Sequence, residues 1–293
     1  MIYLILCILS STGIFLVFKF LDQRNLPSYP VIILNYLTAS VFGFILNSAE
    51  VSVVKIIEMA WFPLSILIGF LFIVMFFVIA RSSREAGISV TTVASKMSVV
   101  FPITFSILIE PDDILSPLKL IAILAALAGV LLTIYSPEHT AKARKRFLIP
   151  FVLFIGMGVV DSLVKFAQFN YVSDADTALF SAVLFAMAFI TGMIILPFRR
   201  KGFSEFRGWE TWTWGLVLGI VNFGSIFLMV SALNYVNQAG EKMDSSILFG
   251  ANNIGIVSLS VLSGLFIFRE KLSRINWLGI VISAIAILLF SFS

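Results

Sequence analysis

Apolar runs of about 20 residues, the length a helix needs to cross the hydrocarbon core of a bilayer, recur from one end of the 293-residue chain to the other. Ten are readable, at residues 1–21, 29–47, 59–80, 88–109, 117–135, 147–171, 177–197, 211–236, 245–268 and 275–292. Unbroken apolarity over this length excludes a transmembrane barrel, whose strands show about ten alternating residues. Soluble domains carry about 25% charged residues; here the share is 12%, and mean hydropathy is +1.06. No hydrophilic stretch is long enough for a soluble domain. The chain therefore reads as an all-α polytopic membrane protein. Its first run has no basic segment before it and outlasts a signal peptide, so it is expected to stay as the first helix.

The connections are short and hold breakers or charges, so sequential helices are expected to be antiparallel neighbours. The most basic connection, residues 136–146, carries Lys142, Arg144, Lys145 and Arg146. It has five runs on each side. An odd number per half inserts the halves in opposite directions, the layout of an inverted-topology repeat. The expected units are a first five-helix repeat over residues 1–138, a basic linker over 139–146 and a second five-helix repeat over 147–293.

The halves can be compared residue by residue. Under an offset of about 157 positions, as the repeat layout requires, Ala94, Ser95 and Lys96 meet Ala251, Asn252 and Asn253. Under the same offset Asp113, Leu115 and Ser116 meet Glu270, Leu272 and Ser273, and each triplet precedes an apolar run. A second offset sets Lys19 and Phe20 against Lys165 and Phe166.

Topology follows the Lys/Arg bias of short loops. Of the 20 basic residues, the even-numbered connections hold only Lys55, Lys119 and Lys242, and two, Lys96 and Lys165, lie within runs. The rest, including Lys19, Arg24, Arg84 and Arg199, lie in or beside the odd-numbered connections. The bias places those connections in the cytoplasm of a cell (inner) membrane and both termini outside.

Two runs carry charges deep inside. A charge at the centre of a span costs at least about 2.5–3.5 kcal/mol on insertion scales, so it normally faces protein or a wet cavity and marks a pathway. Residues 147–171 hold Asp161 and Lys165, spaced i,i+4 with the acid first, the favourable order for a helical ion pair. Gly158 and Gln168 share their stripe. Lys96 sits near the middle of the fourth run, on one stripe with Ser89 and Thr92. Two readings stand for Lys96: an ion pair that locks helices, with Asp161 as partner, or a cation that takes an anionic group of a substrate. Asp161 is open in the same way. Burial and a neighbouring cation act oppositely on its ionisation, the competition by which a carboxylate couples to protons. Lys165 and Lys19 lie nearer their helix ends, where snorkelling is the alternative to a site role.

Amides interrupt two further runs: Asn252 and Asn253 beside Gly250 and Gly255, and Asn222 between Gly219 and Gly224. Amides in a membrane can bond across helices; the alignment of Asn252 and Asn253 with Ser95 and Lys96 favours a shared central cavity. The pairs Gly215/Gly219, Ala122/Ala126 and Ala125/Gly129 are spaced for close helix packing. Trp61, Trp209, Trp212, Trp214 and Trp277 fall near run ends, as an interfacial belt requires.

The junction Glu270, Leu272, Ser273 and Gly279, followed by a last apolar run, resembles the ninth-to-tenth helix junction of the EamA-like transporters of the drug/metabolite transporter superfamily. The first half has Asp113, Leu115 and Ser116, with Ala122 in place of the glycine, and the fourth-helix proline of that family as Pro102. The resemblance covers essentially the whole chain. It implies a cavity lined by the first, third, fourth, sixth, eighth and ninth helices, and efflux as the direction.

The functional expectation is a secondary transporter of a small polar metabolite such as an amino acid, with Lys96, Asp161, Lys165, Ser95, Asn222, Asn252, Asn253 and Lys19 as candidates for binding or translocation. The alternatives are a multidrug or lipophilic-solute exporter and a non-transporting scaffold. Protons are a candidate coupling ion. Membrane lipid is the other partner, and the assembly is a monomer or homodimer. No phosphate-binding loop is present, so ATP is not expected to drive it directly. With Cys7 the only cysteine and His139 the only histidine, no cofactor, metal centre or enzymatic site is expected. The net charge of +4 is spread over short loops, which points to anionic lipid rather than nucleic acid.

Overall fold

The structure of the protein, a computed structural model, describes residues 2–46, 52–109, 115–135, 141–173, 176–199, 202–235 and 245–292. Asp113, His139 and Lys242, named above, lie outside these. The described residues form helices α1 (Ile2–Gln23), α2 (Ser28–Leu46), α3 (Val53–Glu58), α4 (Phe62–Glu85), α5 (Ile88–Met97), α6 (Val100–Ile109), α7 (Pro117–Ile134), α8 (Ala141–Tyr171), α9 (Thr177–Ile195), α10 (Trp209–Asn234), α11 (Ser245–Phe266) and α12 (Arg274–Ser291). Two short 3₁₀ turns follow α9. Among the described residues ten helices are long and apolar enough to cross a membrane, α5 and α6 together making one of them. This is an all-α, multi-pass membrane architecture.

Local chemistry sets several boundaries. The hydroxyls of Ser116 and Ser273, paired in the half-to-half alignment, each cap the helix that follows, accepting from Lys119 N at 3.1 Å and Asn276 N at 3.2 Å. A side-chain oxygen at that position satisfies one of the free amides of a first helical turn. The Leu-Ser step is thus a helix-start device in both halves. α8 runs 31 residues, about 46 Å at 1.5 Å per residue. It exceeds the hydrocarbon thickness, and residues 141–146 of the basic linker are its first turns.

The expected fourth span is not one helix. The chain turns at Ser98 and Val99 between α5 and α6. Pro102 is the reason: it has no N–H for the Ser98 carbonyl, and its ring collides with the carbonyl four residues back. The Ser98 carbonyl accepts from Phe101 N at 3.0 Å instead.

α7 packs along α12 in the most extensive helix pairing of the described residues. Glycines permit it: a Cβ on Gly129 would overlap Ser283, and one on Gly279 would overlap Thr133. Ala122 and Ala126 are fully buried in the same seam. Gly215 and Gly219 likewise admit Leu34 and Thr38 of α2 against α10. α2 also packs on α9, α4 on α8 and α9, and α1 on α10 and α11. α5 is enclosed, touching α1, α4, α7, α8, α11 and α12. Of the tryptophans, Trp209, Trp212 and Trp277 are exposed near helix starts, as a belt requires. Trp61 departs from that expectation: it is 1% exposed and meets Phe180 edge-on at 5.3 Å. The indole packs in an apolar cluster of α3, α4, α8 and α9 residues.

Candidate functional site

The break between α5 and α6 is the centre of the candidate site. Every residue of α5 is buried except Lys96, which is half-buried. Because α5 has protein on all sides, the surface that Lys96 keeps faces the interior of the bundle. Ser98, in the break, lies with its Oγ 2.6 Å from the Ser95 carbonyl oxygen and 3.1 Å from Asp161 Oδ2. Lys96 is within electrostatic reach of Asp161 on α8 and of Cys7 on α1. The arrangement has a favourable polarity. Lys96 is at the C-terminal, negative end of α5, and Asp161 is beside the N-terminal, positive end of α6.

The expected helical ion pair is not formed. Among the described residues no ion pair within 4 Å joins Asp161 to Lys165 or to Lys96. Asp161 takes a hydrogen bond from Ser98 instead, and Lys165 is not without a partner. Lys96 and Asp161 thus face one another at the helix break without a closed salt bridge.

The helices that carry the amides pack against α1. The Cys7 thiol donates to the Ser225 carbonyl at 3.1 Å. Glycines bring α1 close to α10 and α11: a Cβ on Gly13 would lie 3.4 Å from Val221 Cγ1, one on Gly224 would lie 3.3 Å from Ser10 Oγ, and one on Gly255 would meet Ile8. Asn222 and Asn252 are buried on those two helices. Among the described residues Asn222 Nδ2 and Asn252 Oδ1 have no hydrogen-bond partner, and neither does Thr12 Oγ1. Leaving a buried polar group unpaired costs about 1–3 kcal/mol, so each such group calls for a partner such as water or a bound polar group. Asn253, half-buried, follows Asn252 on α11. Asn35 on α2 is also fully buried, and among the described residues neither of its amide atoms has a partner.

Lys19 belongs elsewhere. Its Nζ lies 3.6 Å from Glu270 Oε1 and donates to the Ser83 carbonyl at 3.3 Å. Glu270, in the connection between α11 and α12, accepts from Ile88 N at 2.7 Å, Ser89 N at 3.2 Å and Ser89 Oγ at 2.9 Å. Its carboxylate therefore covers the positive end of α5, where first-turn amides lack helical partners. Gly87 makes this possible. It holds φ +93°, and a Cβ there would stand 2.6 Å from Glu270 Oε1. Three spans and one connection meet in this latch: α1 through Lys19, α4 through Ser83, α5 through its first turn, and the α11–α12 connection through Glu270. Glu270 was legible as part of the junction signature but not as a latch. Ser98 and Cys7 carried no signal of their own, although Pro102 pointed to the break.

No protein-family model matches the chain. An uncharacterized protein of Haemophilus influenzae (strain ATCC 51907 / DSM 11121 / KW20 / Rd) is 28% identical over 293 residues, which cover 97% of this chain and 95% of that one. A solved structure, described as a crystal structure of protein, matches 97% of this chain and 95% of its own at 13% identity, with a TM-score of 0.57. That is a likeness of fold.

Proposed function

We propose that this chain is a secondary transporter of the EamA-like type that moves a small polar metabolite, such as an amino acid, by alternating access. The observation that carries the proposal is the Lys96–Ser98–Asp161 group at a helix break enclosed by other helices. Discontinuous helices with polar groups at their broken ends are how transporters build sites near the midplane. An unclosed acid–base pair can take the two charges of a zwitterion. The amides of Asn222 and Asn252, unpartnered among the described residues, offer a donor and an acceptor on helices packed against α1.

The helix packing supports an inverted five-plus-five repeat. Exchanging the halves turns the α1–α10 contact into α4–α8, and α2–α10 into α4–α9, all of which occur. The pairings of α2 with α9, of α5 with α11 and of α7 with α12 map onto themselves. On the orientation favoured by loop charge, the Glu270 latch closes the cytoplasmic end, and efflux would require its release.

The test is counterflow of radiolabelled amino acids in proteoliposomes, after a metabolite panel screened by thermal shift. Lys96→Met and Asp161→Asn proteins that insert and melt normally are expected to lose most transport. Full activity in both would overturn the proposal. A lipophilic-solute reading draws on one feature, an apolar recess of about 380 Å³ between α6 and α8 walled by Phe101, Phe105 and Phe166. Including lipophilic cations in the same panel decides between the two.

A further inference from the structure

Beside the latch lies a second cavity of about 630 Å³, within the ~300–1,000 Å³ of small-ligand pockets. It sits between the ends of α4 and α7, the starts of α5, α8 and α12, and the α11–α12 connection. Its lining carries five cations, Lys19, Arg84, Arg146, Arg269 and Lys271, against two carboxylates, Glu85 and Glu270, a surplus of three positive charges.

Local pairing does not cancel the surplus. Glu270 is occupied by α5 and Lys19, Glu85 pairs with Arg81 at 3.2 Å, and Arg84 pairs with Asp22. Among the described residues Arg146, Arg269 and Lys271 have no carboxylate within ion-pair distance. The negative C-terminal end of α7 is covered as well, since Asn276 Nδ2 donates to the carbonyls of Thr133 at 2.7 Å and Tyr135 at 2.9 Å. Val90, Ile134, Phe268 and Leu272 add an apolar stretch to a wall that is otherwise polar. Basic loop residues orient a membrane protein, and that accounts for the exposed Arg144 and Lys145. It does not account for Arg146, half-buried in a partly apolar cavity that Arg269 and Lys271 line from its exposed side, where an unpaired cation is costly.

We propose that this vestibule binds a phosphate-bearing anion, held by Arg146, Arg269 and Lys271, with the carbon chain of the ligand on the apolar stretch. Guanidinium groups match phosphate oxygens in geometry and charge. Basic pockets at the ends of membrane helices are placed to take anionic lipid headgroups. The same chemistry fits a soluble phosphate, and the experiment separates the two sources. The proposal does not depend on transport.

The full-length protein is reconstituted in nanodiscs of phosphatidylglycerol or phosphatidylcholine. Melting midpoints are measured, and retained lipid is counted by native mass spectrometry after release. Wild type is expected to melt higher in phosphatidylglycerol and to keep bound lipid. The R146Q/R269Q/K271Q protein should lose retention by about fivefold per cation removed. The R144Q/K145Q protein, which loses charge outside the cavity, should retain lipid as wild type does. If inorganic phosphate raises the wild-type midpoint but not that of the triple variant, with no preference between lipids, the source is a soluble phosphate. Preference for neither probe, or equal losses in the two charge variants, overturns the proposal. Should the triple variant not fold, Arg146→Gln alone decides by the same readouts.

Discussion

The Glu270 carboxylate stands 2.7 Å from the amide nitrogen of Ile88, a residue 182 positions earlier in the chain. The contact ties the last connection of the second half to the first turn of an enclosed helix in the first. Only 10% of the Glu270 side chain and 16% of the Lys19 side chain remain exposed. Hydrogen bonds to a charged group contribute about 1.5–3 kcal/mol each. Glu270→Ala is expected to destabilise the protein by about 2 kcal/mol or more on that basis, and Glu270→Gln by less, since an amide oxygen still accepts. A cycle of Lys19→Met and Glu270→Gln should show a coupling of about 1 kcal/mol, measured by thermal unfolding in detergent. Additive effects would mean that Lys19 is not part of the latch.

Gly87 offers a sharper test of the same contact. At φ +93° a side chain is strained, and its Cβ would press on the Glu270 carboxylate. Strain of this kind costs about 1–3 kcal/mol, so Gly87→Ala should lower the melting midpoint clearly. Gly208→Ala is the control. That residue has φ −75°, and a Cβ there would sit 3.6 Å from Thr211 Oγ1, an ordinary contact. Its midpoint should hardly move.

The broken span makes a prediction in which stability and transport part company. Pro102→Ala restores an N–H that can bond the Ser98 carbonyl, and alanine is the best helix former. The variant is expected to melt at the wild-type temperature or higher, yet to transport more slowly, because a healed helix moves Ser98 away from Asp161. Ser98→Ala tests the contact directly. Losing one hydrogen bond to a carboxylate should cut transport about tenfold while leaving insertion intact. Proteoliposome flux and thermal shift on the same preparations check both.

Much of this architecture is legible in the chain because hydropathy, run length and serine caps are local. The ten spans need only composition, and Ser116 and Ser273 announce their helices in sequence. What was not legible depends on how helices are rotated against neighbours. Asp161 and Lys165 have favourable spacing, but Asp161 finds the Ser98 hydroxyl across α5, and spacing on one helix cannot report that. Trp61 has the position of an interfacial residue but meets Phe180 in a buried cluster. Glu270 stands in a recognisable junction, yet its partners lie about 180 residues away, and only the assembled bundle brings them together.

The seam between α7 and α12 carries the last prediction. At Gly279 an added Cβ would overlap both the backbone nitrogen and the hydroxyl of Thr133, and at Gly129 it would overlap Ser283. Backbone on the far side cannot swing away as a long side chain can. Forcing atoms into a packed interior costs about 1–3 kcal/mol, sometimes more, and helices in lipid hold together chiefly through such close approach. Gly279→Leu is therefore expected to lower the melting midpoint by many degrees and to reduce the amount of folded protein recovered. Ala128→Leu, on the exposed face of α7, adds comparable volume toward lipid and should be tolerated. Equal midpoints for the two leucine variants, measured side by side in detergent, would show that the seam is not what fixes these helices.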